Sequence, residues 1–175
     1  MRRLILFRHA KSAWPAGIAD RDRPLAPRGL EAAPAMGAYM AQQHLVPERA
    51  LVSPARRTVE TWLATSRVWA DSGVALPWQG FEERIYAAPA ALLLAVAREG
   101  GAQANSLMLV GHNPGMEDLL ALLAVPGQRD RLPRKYPTAG LAVIDLPADD
   151  WADIAPGTGT IERFFAPRML GLGED

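Results

Sequence analysis

Arg8 and His9, Arg57, and His112 are the residues in this chain whose types and spacing could handle a phosphoryl group. Each follows an apolar run. Leu4-Ile5-Leu6-Phe7 stops at Arg8-His9, Ala50-Leu51-Val52 stops at Ser53 with Arg57 four residues on, and Ser106-Leu107-Met108-Leu109-Val110 stops at Gly111-His112-Asn113. An unpaired cation at the tip of a buried strand is costly, so either these groups reach solvent or an anion meets them there. Two guanidiniums suit the equatorial oxygens of a phosphoryl group, where charge builds during transfer. One imidazole could attack phosphorus and carry it covalently while the other holds an oxygen. Attack needs a neutral ring, and neighbouring cations favour that form. Because guanidinium supplies the positive charge, the expectation is a centre with no metal and no cofactor.

The elements that must position these groups can be read from hydrophobic periodicity. Residues 3–7 read as a buried strand, and 12–28 as a polar loop rich in Asp, Arg and Pro. Residues 29–43 have helical composition, with Pro34 expected in the first turn. A strand at 50–52 leads to a helix at 55–70, whose apolar stripe is Val59, Trp62, Leu63, Val68 and Trp69. A strand at 74–78, a helix at 89–98, a strand at 106–110 and a helix at 116–124 follow. A loop over 125–138 precedes a strand at 141–146. The run 158–165 is expected to pair with it as a hairpin across 147–157. Apolar strands alternating with helices predict an α/β fold, a three-layer α/β/α sandwich whose central sheet is mostly parallel with an antiparallel edge hairpin. The crevice of such a sheet lies outside the carboxyl ends of its strands, which puts Arg8, His9, Arg57 and His112 on one rim.

The bulk properties narrow the function classes. A chain of 175 residues, 49% hydrophobic, suits a single domain spanning 1–175. Nineteen basic and nineteen acidic residues leave no net charge, which argues against nucleic acid or a membrane surface as the main partner. All but two of the basic residues are arginine, the exceptions being Lys11 and Lys135. The absence of cysteine rules out disulfides, thiol nucleophiles and Cys-based metal sites. The first apolar run is too short for a signal peptide or a membrane span, so a cytoplasmic location is expected. Neither nucleotide-binding glycine motif is present. His44 reads as structural or exposed, and Trp62, Trp69 and Trp78 read as packing.

Leu6-Phe7-Arg8-His9-Ala10 resembles the signature of the histidine phosphatase superfamily, in which the histidine after the first strand is phosphorylated. Ala10 stands where the wider pattern has glycine. Ser53-Pro54-Ala55-Arg56-Arg57-Thr58-Val59-Glu60-Thr61 resembles the family's Ser-x-x-x-Arg-x-x-x-Thr block, and Val110-Gly111-His112-Asn113 its third block. Four further stretches resemble the short SixA branch of phosphohistidine phosphatases. They are Arg8 through Ser12, Asp22-Arg23-Pro24-Leu25 with Gly29, Gly111 through Gly115, and Pro137 through Val143. The resemblance implies that His9 is the nucleophile, that Arg8, Arg57 and His112 bind the phosphoryl group, and that Asn113 and Ser12 complete the pocket. Glu82-Glu83-Arg84-Ile85-Tyr86 resembles the segment carrying the proton donor in mutase-like relatives and points to Glu83 as general acid. The implied activity is hydrolysis through a phospho-His9 intermediate, with phosphohistidine on a partner protein as substrate. A phosphomonoesterase for small metabolites, using Glu83, is the alternative, and a non-catalytic phosphate-binding protein is a third reading.

Overall fold

In strand β1 (Arg2–Arg8), Leu4 and Leu6 turn to one face of the sheet while Ile5 and Phe7 turn to the other, and all four are buried. Burying each such side chain contributes about 1.5–3 kcal/mol, so a strand apolar on both faces demands a layer on both. The computed structural model, which describes residues 1–173, supplies them; Glu174 and Asp175, the end of the expected domain, lie outside the described residues. Helices α1 (Pro27–Gln42) and α2 (Arg56–Asp71) cover the Ile5/Phe7 face. Helices α3 (Ala90–Gly100) and α4 (Gly115–Leu123) cover the Leu4/Leu6 face.

Between them lies a six-stranded sheet in the order β3-β2-β4-β1-β5-β6. Here β2 is Arg49–Val52, β3 Trp78–Phe81, β4 Ser106–Gly111, β5 Leu141–Leu146 and β6 Thr160–Phe165. The first four strands in that order run parallel; β5 is antiparallel to both β1 and β6. The expected three-layer α/β/α sandwich is therefore the fold observed. The antiparallel edge is better tied in than a simple hairpin, because β5 pairs along its whole length with β1. The β5–β6 connection carries a one-turn helix at Trp151–Asp153, whose buried Trp151 donates its indole N–H to the Ala104 carbonyl at 2.7 Å.

Several boundaries differ from expectation for physical reasons. Helix α1 begins two residues earlier, with Pro27 at its first position, so Pro34 sits inside the helix and not in its first turn. The carbonyl that Pro34 cannot bond belongs to Leu30, on the exposed side of the helix. Strand β3 lies at Trp78–Phe81 instead of 74–78, in parallel register with β2. Pro77 lacks the N–H that pairing needs, and Leu76, Trp78 and Phe81 are largely exposed along this edge. The loop at 125–138 contains a short helix, α5 (Pro126–Arg129). In α2, Leu63 is exposed, and the buried stripe is Arg57, Thr58, Thr61, Trp62, Thr65 and Trp69.

Candidate active site

Four segments meet at the carboxyl rim of β1. The His9 amide donates to the Gly111 carbonyl at the end of β4, and the Ser53 amide to the Val110 carbonyl, each at 3.0 Å. The fourth segment arrives because β5 runs against β1, which brings its approach to the same rim. The Ala139 amide donates to the His9 carbonyl at 2.9 Å, and the Arg8 amide to the Gly140 carbonyl at 3.1 Å. From the other side α1 closes in. A Cβ on Gly29 would lie 2.1 Å from the Lys11 carbonyl oxygen, so only glycine admits this approach.

A cavity of about 270 Å³ opens at this rim. Of the expected site residues, Arg8, His9, Ser12, Arg57, His112 and Asn113 line it, and the structure brings all six together. Lys11, Trp14, Arg23, Lys135 and Thr138 complete the wall. Glu83 is not brought in. Its carboxylate is exposed and ion-paired with Arg21 at 2.5 Å, outside the lining. No acidic residue lines the cavity among the described residues.

The two imidazoles face each other, with ring centroids 5.4 Å apart. His9 Nδ1 lies 2.7 Å from the Ala10 carbonyl, an acceptor that assigns the proton to Nδ1 and leaves the Nε2 lone pair available. The Ala10 amide in turn donates to Thr61 Oγ1 at 2.9 Å, and that hydroxyl donates to the Arg57 carbonyl at 2.7 Å. His112 Nε2 is 2.7 Å from Ser53 Oγ, while its buried Nδ1 has no partner in the protein. Burial pushes His9 down to about 3 against the pull of the Ala10 carbonyl, with His112, Arg8 and Arg57 adding to the effect. Burial, then Arg57, pushes His112 down to about 3 as well. Both rings are thus neutral around pH 7, the form a nucleophile requires.

Arg57 is buried and donates from Nη1 to the Asp20 carbonyl at 2.7 Å and from Nη2 to Asp20 Oδ2 at 3.1 Å. Asp20 also accepts from the Tyr86 hydroxyl at 2.6 Å and lies 3.3 Å from Arg23 Nε. The Tyr86 hydrogen bond, with Arg57 and Arg23, holds its carboxyl below the usual range, so Asp20 stays ionised and orients cations. Arg23 is 6% exposed and stacks 3.4 Å over the ring of the exposed Trp14. Burial, then the charge of Arg57, lowers its guanidinium pKa, and its buried Nη1 has no hydrogen-bond partner in the protein. Arg8 Nη1 donates to the Tyr136 carbonyl at 2.7 Å, an acceptor shared with Asn113 Nδ2 at 3.1 Å. Asn113 therefore ties two loops together as well as lining the cavity.

Sequence reasoning left Ser53, Thr61, Asp20 and Arg23 without roles. Ser53, Arg57 and Thr61 are spaced by four, a helical interval at which all three could have been placed toward one side. Asp20 and Arg23 lie in a loop whose geometry no periodicity reveals. Arg56, by contrast, is exposed, with its Nε 3.5 Å from Glu60 Oε2.

Residues 4–87 match the model of the histidine phosphatase superfamily (branch 1). An uncharacterized protein of Mycobacterium tuberculosis is 36% identical over 167 residues, which span 93% of this chain and 100% of that protein. Among solved structures, a candidate phosphohistidine phosphatase SixA from Agrobacterium tumefaciens is 31% identical, with a TM-score of 0.78 over 95% of this chain and 99% of that one. The protein histidine phosphatase SixA complexed with tungstate is 26% identical, with a TM-score of 0.72 over 96% and 99%. An Arg-His tip, a buried arginine and a second histidine round one cavity, on a sheet matched along nearly its whole length, place this chain in the histidine phosphatase superfamily, in its SixA-type branch.

Proposed function

We propose that the protein hydrolyses phosphohistidine on a partner protein through a phospho-His9 intermediate. In the first step His9 Nε2 attacks phosphorus, the new N–P bond forms, and the N–P bond of the substrate breaks. The substrate imidazole leaves carrying its own proton. In the second step a water oxygen bonds to phosphorus, the Nε2–P bond breaks, and the water proton goes to the departing phosphate and bulk solvent. Arg8, Arg57 and Arg23 bind the phosphoryl oxygens. With the Ser53 hydroxyl donating to Nε2, His112 presents Nδ1–H to another oxygen.

The observation that carries this reading is the composition of the wall. Buried donors at Arg23 Nη1 and His112 Nδ1 have no protein partner, and no carboxylate lines the cavity among the described residues. Unpartnered buried donors are expensive, and a tetrahedral oxyanion satisfies them together. Tungstate, held by the similar SixA structure, is such an anion. Imidazole leaves phosphorus far more readily than an alkoxide does, so a cavity with no acid on its wall favours an N–P over an O–P bond. The same cationic wall would repel a divalent ion, which supports metal-independent catalysis.

Turnover of a phosphohistidine-bearing histidine phosphotransfer domain should be compared with that of sugar and nucleotide monophosphates, with and without EDTA. The expected result is hydrolysis of the phosphohistidine substrate by at least a hundredfold preference, unaffected by EDTA and by Glu83→Gln. Preferential ester hydrolysis that Glu83→Gln abolishes would assign the small-molecule phosphomonoesterase activity instead. No hydrolysis of any substrate would leave a non-catalytic phosphate-binding protein.

A further inference from the structure

Trp14 is the single apolar side chain on the wall of the active-site cavity among the described residues; every other lining group is charged, a histidine or a small polar side chain. It is 77% exposed, whereas Trp62, Trp69 and Trp151 are buried. That exposure does not come from a loose segment. The Ala13 amide donates to the Pro24 carbonyl at 2.9 Å, and Ser12 and Leu25 form an antiparallel bridge. The stretch that carries Trp14 is thereby pinned to the stretch that carries Arg23. One face of the indole lies against Arg23, whose guanidinium carbon is 3.4 Å from the ring centroid, and the high exposure leaves the opposite face open. Trp78 stacks on Arg49 at 3.7 Å in the same way, but on the edge strand β3 and outside the cavity wall. What sets Trp14 apart is its partner. Arg23 is 6% exposed, lines the cavity, and its buried Nη1 has no hydrogen-bond partner in the protein.

We propose that the open face of Trp14 receives the imidazole ring of the substrate phosphohistidine, which makes Trp14 a specificity-determining residue for the leaving group. This assignment rests on the function proposed above and names the part of the substrate that the indole recognises. Arg23 lies against the indole and binds a phosphoryl oxygen through Nη1, so the group bonded to phosphorus emerges beside the same ring. A flat imidazole can stack on that face with an offset, burying apolar area on both partners, whereas a ringless group cannot. Trp14 thus acts on which phosphoryl donor is accepted, while the bond-breaking chemistry stays at His9.

The test compares a peptide phosphorylated on histidine with phosphoramidate, which has the N–P bond and no ring. The kcat/KM ratio of peptide to phosphoramidate is expected to fall about tenfold in Trp14→Leu, which keeps apolar bulk and loses the π face. In Trp14→Phe, which restores an aromatic face, it is expected to fall by less than about threefold. A ratio unchanged in Trp14→Leu would overturn the proposal, because an indole that only covers Arg23 affects both substrates alike. Phosphoramidate hydrolysis by the unaltered protein reads the proposed function separately. If neither N-phosphoryl compound is hydrolysed, binding still decides the role of Trp14. The NMR signal of its indole N–H, assigned by its loss in Trp14→Leu, is followed with a phosphonopyrazole, a stable planar stand-in for phosphohistidine, and with methylphosphonate. A larger shift with the phosphonopyrazole would support the stacking face, and equal shifts, or none, would overturn it.

Discussion

Helices α2 and α4 occupy comparable places, each following a parallel strand that ends at the cavity rim, but their buried faces differ. The buried side of α4 is Gly115, Met116, Leu119, Leu120 and Leu123. That of α2 includes Arg57, Thr58, Thr61 and Thr65 beside its two tryptophans. Every one of those threonine hydroxyls is hydrogen-bonded: Thr58 to the Ser53 and Ala55 carbonyls, Thr61 to the Arg57 carbonyl, and Thr65 to the Ala33 carbonyl. Helix α4 holds the sheet and leaves chemistry to the loop before it. Helix α2 enters the cavity with its own first turn, and its buried polar atoms lock the segments that carry His9 and Ser53. A helix that supports a site only by packing can be apolar; one that supplies a residue to it needs a satisfied polar face.

This contrast sets the expected order of effects. His9→Ala removes the proposed nucleophile and should abolish turnover to the limit of detection in a phosphate-release assay. Arg57→Ala should lower kcat by about 10²–10³-fold, the scale of a lost oxyanion donor. Thr61→Val removes the acceptor for the Ala10 amide, whose own carbonyl orients His9. It should lower kcat by about tenfold and stability by about 1–3 kcal/mol in denaturant unfolding. Leu120→Ala in α4 opens a cavity in the all-apolar layer and should cost about 2–5 kcal/mol of stability. Its kcat should stay within about twofold of the parent. Were Leu120→Ala to slow turnover as much as Thr61→Val does, the distinction between the helices would be wrong.

The pH dependence follows from the imidazoles. His9 and His112 are each lowered from 6.5 to about 3 in the folded chain. Between those values the unfolded chain binds protons that the folded chain does not. Stability is therefore undiminished by these groups above about pH 6.5 and falls as pH drops toward 3, by up to about 1.4 kcal/mol per pH unit for each ring. Thermal melts between pH 4 and 7 should show the decline, and His112→Asn should make it shallower. A steeper decline in His112→Asn would contradict the assignment.

Much of this was legible in the sequence, for reasons particular to each element. β1, β4 and β5 announce themselves because residues buried on both faces must be apolar. That signal also fixed which tips reach the rim, and with them Arg8, His9 and His112. The apolar stripe of α2 differs from its buried face because threonine reads as polar, although its hydroxyl can be satisfied within the helix. β3 was displaced because an exposed edge strand lacks the apolar constraint that marks a central one. Asp20 and Arg23 reach the cavity through a loop, where only the folded chain shows that one orients the other. Glu83 was assigned by position in a motif, and the structure turns its carboxylate toward Arg21 instead.

The most direct measurement is a rapid acid-free quench of the protein during turnover of a ³²P-labelled substrate, followed by mapping of the labelled peptide. Label that is stable in alkali, lost in acid and located on His9, and absent from the His9→Ala variant, is the predicted outcome. Label on another residue, or equal labelling of His9→Ala, would contradict the claim that these converging segments pass the phosphoryl group through His9.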